Sequence, residues 1–346
     1  MPSVARKINH PKRKRWWATV ETSPADMGTG IVLDLAADER ADLSALAARL
    51  AGSPPRLIDD AAWVGTARRL SGALPARVRG AIREFRHDPG PDGLLLIQNL
   101  PLETDRLPPT PTVPESVERN ATQAAAVQAL LTLQLGELVA FRDEKSGALV
   151  QNVVPVPGRE GMQGNAGSTL LQMHVENAFH PNRPDYVGLM CLRNDHDDSA
   201  GLRVSCIRRA LGLLAASAQE VLAQERFITE APPSFTGLEG VAPAHAVLTG
   251  DPEDPDVRVD FTSTHPLDDE ARVALTALKD AFDQASRTIV LRSGQLAVVD
   301  NRITIHGRTA FQPRYDGQDR WLHRTFAHLD HRRSRAVRSG NGNVLV

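Results

Sequence analysis

After residue 147 the chain breaks into short runs rich in β-branched and aromatic residues, and that texture constrains the fold more than any single motif. "ALVQNVVPV", "TLLQMHVE", "DYVGLMCLRN", "LRVSCI", "RFITE", "HAVLTG", "VRVDF", "RTIVLR", "QLAVVDN" and "RWLHRTFAHL" follow one another with turn-forming residues between them. Strands this short bury little alone and must pack on one another, so the spacing predicts a sandwich or jelly roll. One strong helical pattern interrupts the series, "DDEARVALTALKDAFDQAS" at 268–286, with acids first and apolar residues at steps of three and four.

The first 147 residues read differently. "DERADLSALAARLAG" (38–52) has leucines and alanines at helical spacing, acids at its start and Gly52 at its end. A second helix is predicted near 75–86, a buried strand in "GLLLIQNLP", and a proline-rich connection at 107–116 that can be neither helix nor central strand. A long alanine- and leucine-rich helix is predicted over 119–141, packed against a sheet.

Composition bounds the function classes. A formal net charge of −2 over 346 residues argues against a whole-protein electrostatic binder of nucleic acid. Positive charge concentrates in "RKINHPKRKRWW", read as a solvated basic arm over residues 1–30 whose tryptophans pack on the body. Two cysteines, Cys191 and Cys206, make neither a disulfide framework nor a thiolate cluster and are expected to pack in the core. Neither an 18-residue apolar run nor a signal peptide is found, so no membrane role and a cytoplasmic location are expected. The expected organisation is one domain over 31–338, with its β core at roughly 147–330 and a flexible tail at 339–346. Oligomeric state is left open.

The chemistry-bearing residues lie in two blocks. In "QMHVENAFH", His174 and Glu176 are two apart, and on a strand they would project from one face. Such a pair is either half of a metal site or two polar residues on the wet face of a sheet. A third ligand is available in "VVDNRITIHGRTAFQPRYDGQDRWLHRTF", where an apolar strand runs through an Asp-Asn turn to His306. Two histidines and one carboxylate form a facial triad that leaves metal positions open, the arrangement suited to non-haem Fe(II).

These blocks resemble the signature regions of the clavaminate synthase-like Fe(II)/2-oxoglutarate oxygenases (TauD-type superfamily), especially the free amino-acid hydroxylases acting on arginine, lysine or asparagine. The likeness runs from about Gly93 to Arg338, and the His306 block with its "FQPRYDGQDRW" run is its most specific part. The resemblance implies a mainly β fold with flanking helices, a double-stranded β-helix or cupin-like jelly roll. It implies that His174, Glu176 and His306 bind Fe(II), and that Arg320, fourteen residues past His306, grips the distal carboxylate of the cosubstrate 2-oxoglutarate. A guanidinium suits that role because its rigid fork pairs bidentately with carboxylate. Arg324, on the same strand face, matches the arginine that meets the α-carboxylate of an amino-acid substrate. Two arginines on one face without acids repel unless separate anionic ligands occupy them.

The substrate side is read by the same resemblance. Asp260, in "PDVRVDFTSTHP", aligns with an aspartate that pairs with a cationic side-chain terminus, and Thr262 stands where arginine hydroxylases place a second aspartate. Lysine, citrulline, arginine or a relative are the expected substrates, hydroxylated at C3 or C4, with secondary-metabolite biosynthesis as the usual setting. Glu144 lies near a position that contacts the substrate amino group, and Glu176 also borders the substrate. "PVPGREGMQGNAGS" (155–168) is placed as an active-site lid or a flexible connection. A glutamate at 176 favours hydroxylation over the halogenation of relatives that carry a small residue there. The family threonine that also bonds 2-oxoglutarate is missing: Leu202 falls near its position, with Ser199 or Ser205 as candidate replacements. O₂ is the second cosubstrate. Rival readings are a same-site desaturase or cyclase and a catalytically silent jelly-roll binding module. His180 and His196 are not expected to bind metal, His323 should face away from the site, and Trp321 and Phe311 should belong to the core.

Overall fold

Residues 186–193, 295–300, 304–308 and 321–328 form strands buried almost throughout on both faces, so each sheet needs a covering layer on either side. The computed structural model describes residues 30–235 and 242–346; the basic arm expected over 1–30 falls, but for Gly30, outside them. In chain order the elements begin with β1 (Ile31–Asp34), α1 (Ala37–Ala51), α2 (Ala61–Ser71), α3 (Ala76–His87), β2 (Leu94–Gln98), β3 (Val117–Glu118) and α4 (Gln123–Leu135). They continue with β4 (Glu137–Phe141), β5 (Val150–Val153), β6 (Leu171–His174), β7 (Tyr186–Arg193), β8 (Leu202–Cys206), α5 (Ile207–Ala210) and α6 (Ala216–Leu222). The last are β9 (Phe227–Thr229), β10 (Leu248–Asp251), β11 (Asp254–Val257), β12 (Thr264–Pro266), α7 (Asp269–Ala285), β13 (Arg287–Ile289), β14 (Gln295–Asp300), β15 (Thr304–Arg308), β16 (Trp321–His328) and β17 (Val344–Leu345).

A nine-stranded mixed sheet runs β1-β2-β14-β7-β16-β4-β17, with β5 alongside β16 and carrying β3. A second sheet runs β13-β8-β15-β6, all antiparallel. Three apolar clusters define the layers. One joins α1–α4 to the outer face of the large sheet through Leu43, Trp63, Phe85 and Leu130. Another packs α5–α7 on the small sheet through Ile207, Leu278, Phe282 and Ile305. The third lies between the sheets, where Leu202, Val204 and Ile289 of the small sheet meet Leu189, Val299 and Phe326 of the large one. Two helix-covered sheets facing each other fit the expected mainly β architecture. No helix among the described residues is long and apolar enough to cross a membrane.

Two expectations change. The helix expected over 119–141 is the shorter α4, capped by the Thr122 side chain accepting from Ala125 N, and it stops at Gly136. There the chain passes so close to β16 that a Cβ would lie 2.2 Å from His328 O, and "ELVAF" turns into β4, paired with β16. The expected flexible tail is instead docked: Val344 and Leu345 pair in parallel with Ala140 and Phe141, and Leu345 is 1% exposed. The free edge of β4 supplies unpaired backbone groups that a two-residue strand satisfies, a signal too short for periodicity to show.

Candidate active site

His174 is the last residue of β6 and His306 lies directly opposite it on β15. Their rings are 4.7 Å apart. Gly307 permits this approach, since a Cβ there would stand 2.5 Å from Leu171 O on the neighbouring strand. Glu176 lies beyond the end of β6, so its placement differs from the strand-face expectation. It is set by Asn301, whose Oδ1 accepts from Glu176 N at 2.7 Å while its Nδ2 donates to Glu176 O at 3.1 Å and Pro184 O at 2.8 Å. The Asp-Asn turn thus fixes the carboxylate that the histidine strand releases.

One ligand atom from each of His174, Glu176 and His306 lies within 4.8 Å of the others. His174 Nδ1 sits 2.9 Å from Gln172 O, so a proton on Nδ1 leaves Nε2 free as a ligand. His306 Nε2 is 3.3 Å from Glu176 Oε2, and its Nδ1 is buried without a partner. Burial, with the neighbouring His174, lowers the His306 pKa and keeps the ring neutral, as a ligand must be. Burial alone would raise the Glu176 carboxyl, but Arg324, His306 and His174 hold it well below the usual carboxylate range. Two imidazoles and one ionised carboxylate on one small locus fit an Fe(II) ion.

Arg324 projects from β16 into the same locus. Its Nη1 donates to Glu176 Oε1 at 2.7 Å, its Nε to Gln151 Oε1 at 3.0 Å, and its Nη2 to Glu144. Asn165 of the glycine-rich segment reaches Nη1 at 3.5 Å. Glu144 Oε2 also accepts from Asn177 Nδ2 at 3.1 Å. A fixed guanidinium beside a fixed carboxylate matches the two charges of an amino-acid backbone. Asp260 is joined to His174 by an isolated backbone bridge. Its Oδ1 accepts from Thr262 N at 2.8 Å and Thr262 Oγ1 at 2.6 Å.

The sequence expected Arg320 and Arg324 to be two uncompensated cations. Arg324 is compensated by Glu144 and Glu176. Arg320 is not: it is 5% exposed, its Nε has no partner, and among the described residues no carboxylate pairs with it. A second uncompensated arginine, Arg308, lies beside it, with its pKa pushed down to about 9 by burial and the Arg320 charge. Both guanidiniums stand over the ring of Phe311, at 5.3 Å for Arg308 and 5.9 Å for Arg320. Phe311 is therefore a platform for cations as well as a buried residue. Neither serine replaces the family threonine, because Ser199 Oγ donates to Asp195 and Ser205 Oγ to Phe282 O on α7.

His180 Nδ1 accepts from Asn182 N at 3.0 Å and its ring packs on Phe141, away from the triad. His196 pairs with Asp316 at 3.0 Å; the adjacent Asp319 accepts from Arg314 N and Tyr315 N, shaping a turn. His323 lies on the opposite face of β16 from Arg324, beside Trp321. Both cysteines are buried, their thiols pushed up to about 12 by burial. Sequence reasoning missed Asn301, Gln151, Asn165 and Arg308 as site residues. The Asp-Asn turn carried a usable signal for Asn301, whereas a lone arginine and isolated amides carry none.

Residues 119–326 match the model of the taurine catabolism dioxygenase TauD, TfdA family. The chain belongs to this family and is a 2-oxoglutarate-dependent dioxygenase that uses Fe(II) and O₂. The L-asparagine oxygenase of Streptomyces coelicolor is 52% identical over 301 residues, covering 87% of this chain and 89% of that protein. A solved structure of asparagine oxygenase in complex with Fe(II), 2S,3S-3-hydroxyasparagine and succinate superposes with a TM-score of 0.88 at 48% identity, covering 91% of this chain and 98% of that one. The non-heme iron oxygenase OrfP in complex with Fe and alpha-ketoglutaric acid superposes with a TM-score of 0.82 at 30% identity, covering 91% of this chain and 100% of that one.

Proposed function

We propose that this enzyme hydroxylates C3 of free L-asparagine, consuming 2-oxoglutarate and O₂ and releasing succinate and CO₂. In this reading the two facing sheets are the halves of a double-stranded β-helix, His174, Glu176 and His306 hold the iron, and Arg320 seats the cosubstrate. Bound Fe(II), with 2-oxoglutarate and O₂, supplies the oxidant for an unactivated C–H bond. The rest is orientation by the chain. Arg324 takes the substrate α-carboxylate, Glu144 takes the ammonium, and the segment 155–168, through Asn165, covers the pocket and limits water.

The observation that carries the choice of substrate is Asp260. Thr262 occupies one of its oxygens with two hydrogen bonds, and its backbone is bridged to His174 beside the metal locus. The other oxygen can take one N–H of a neutral carboxamide held close to the iron. A guanidinium, with five donors in a fixed fork, is best met by a second carboxylate, which Thr262 does not supply. The similarity to L-asparagine oxygenase supports the same choice. The second reading is a basic or ureido amino acid, lysine, arginine or citrulline, favoured by the negative charge of Asp260 itself.

The test is succinate formation by the anaerobically iron-loaded protein given 2-oxoglutarate, air and one amino acid at a time. Asparagine is expected to stimulate turnover and gain one oxygen atom. Turnover with arginine, lysine or citrulline but not asparagine would replace the first reading by the second. A product lighter by two hydrogens would mean desaturation or ring closure, and absence of turnover with every amino acid would remove the hydroxylase reading.

A further inference from the structure

Arg308 and Arg320 form a buried pair of like charges that the amino-acid contacts leave unexplained. Arg308 is 4% and Arg320 5% exposed, and neither has an ion-pair partner among the described residues. The Nε of each is buried without a partner. The one hydrogen bond found for Arg308 runs from Nη2 to Thr169 O at 3.0 Å. Asp195, the carboxylate whose charge reaches Arg320, is engaged by Ser199 Oγ, Ser199 N and Ala200 N. Two buried guanidiniums on one aromatic ring need an anion.

The sheet register says where that anion sits. Arg308 is two residues beyond His306 on β15, hence on the face that carries the metal locus. Directly across on β8 its partner is Leu202, the residue standing near the position of the family threonine. The hydroxyl donor missing from β8 is thus matched by a guanidinium at the opposing position on β15.

We infer that Arg308 is a second binding residue for the distal carboxylate of 2-oxoglutarate, sharing with Arg320 a seat in which Leu202 supplies no hydrogen bond. This rests on Arg320 being the cosubstrate arginine. A carboxylate offers about four lone-pair sites on two oxygens, enough for both forks. Phe311 backs the two guanidiniums, and Thr169 O holds the outer nitrogen of Arg308, leaving Nε and Nη1 for the ligand.

The experiment is calorimetric titration of the anaerobic Fe(II)-loaded protein with 2-oxoglutarate and, separately, with pyruvate, which has the same 2-oxo-acid end but no distal carboxylate. Arg308→Gln is expected to weaken 2-oxoglutarate about tenfold and leave pyruvate within twofold. A 2-oxoglutarate change under threefold, or an equal loss for pyruvate, would overturn the inference, the second by showing a merely structural role. Arg320→Gln is the control: if it too spares 2-oxoglutarate, the seat itself is misplaced, a failure distinct from that of Arg308 alone. Should Arg308→Gln not fold, Arg308→Lys keeps the charge and loses the fork. It is expected to weaken 2-oxoglutarate at least threefold with pyruvate unchanged, and equal affinity would again refute the inference. Adding Leu202→Thr to the Gln variant is expected to restore part of the lost affinity, since it returns a donor to the opposing strand.

Discussion

Arg324 donates to Glu176 at 2.7 Å with one nitrogen and reaches Glu144 with another, so one guanidinium joins the carboxylate proposed for iron to the carboxylate proposed for the substrate ammonium. The arrangement keeps three charged groups in register, Arg324 and Glu176 buried and Glu144 partly so.

Arg324→Gln is therefore expected to separate the two sites. Loss of a buried, hydrogen-bonded charge partner costs ~2–5 kcal/mol, so amino-acid affinity should fall by roughly 30-fold or more. Iron should stay bound as tightly or more tightly, because a cation next to the metal locus has been removed. Calorimetry with the amino acid and a competitive metal titration read the two effects, and parallel loss of both would refute the separation.

Asn301→Ala should act on the metal without touching it. Asn301 fixes the backbone of Glu176 from both sides, and losing a group that orients a ligand commonly costs about 10–100-fold in metal affinity. Asn301→Asp keeps the acceptor for Glu176 N and loses the donors, so its affinity should fall between the two. Unchanged iron affinity in the alanine variant would show that Glu176 is held by other means.

Thr262→Asp should move substrate preference. A second carboxylate two residues from Asp260 would give a planar guanidinium two acceptors while repelling nothing in a neutral carboxamide. The ratio of kcat/KM for arginine to that for asparagine is expected to rise by about tenfold or more, roughly one charge-assisted hydrogen bond. A flat ratio would mean that Asp260 does not face the substrate terminus.

Stability should fall on acidification through His323. This ring is 1% exposed, neither of its nitrogens has a partner, and burial pushes its pKa down to about 3. Unfolded, it titrates near 6.5. Above that pH the ring is neutral in both states and its contribution is complete; as pH falls toward 3 the unfolded chain binds a proton that the folded one refuses, and stability is lost. The loss attributable to His323 at pH 4 is on the order of 3 kcal/mol. His180, His245 and His328, each lowered to about 4 chiefly by burial, add to the same window. His323→Leu should flatten the dependence of Tm on pH between 6.5 and 4, and an unaltered slope would show that the ring is solvated on the folded side.

How much was legible follows from how local each signal is. His174 stood out by its two-residue spacing from Glu176, and His306 by the resemblance of its block to the family signature. Glu176 was found for a partly wrong reason: the two-residue spacing was read as one strand face, whereas the strand ends at His174 and a side chain 125 residues away holds the glutamate. Arg308 was hidden because nothing local distinguishes a buried arginine from a surface one; its burial comes from β8 and Phe311. Gln151 and Asn165 are neutral amides whose meaning lies wholly in their distance from Arg324. In 119–141, apolar residues continue at helical spacing past Gly136 into "ELVAF", and only the tertiary approach of β16 decides that this stretch is a strand.

The pairing of Val344 and Leu345 with Ala140 and Phe141 has a practical side. Those two partners lead straight into the turn that carries Glu144, so residues 344–345 act as a splint behind the wall proposed to receive the substrate. Cargo fused after Val346, or an affinity handle placed there, would tug on that splint, with a cost to anyone immobilising this enzyme through that end.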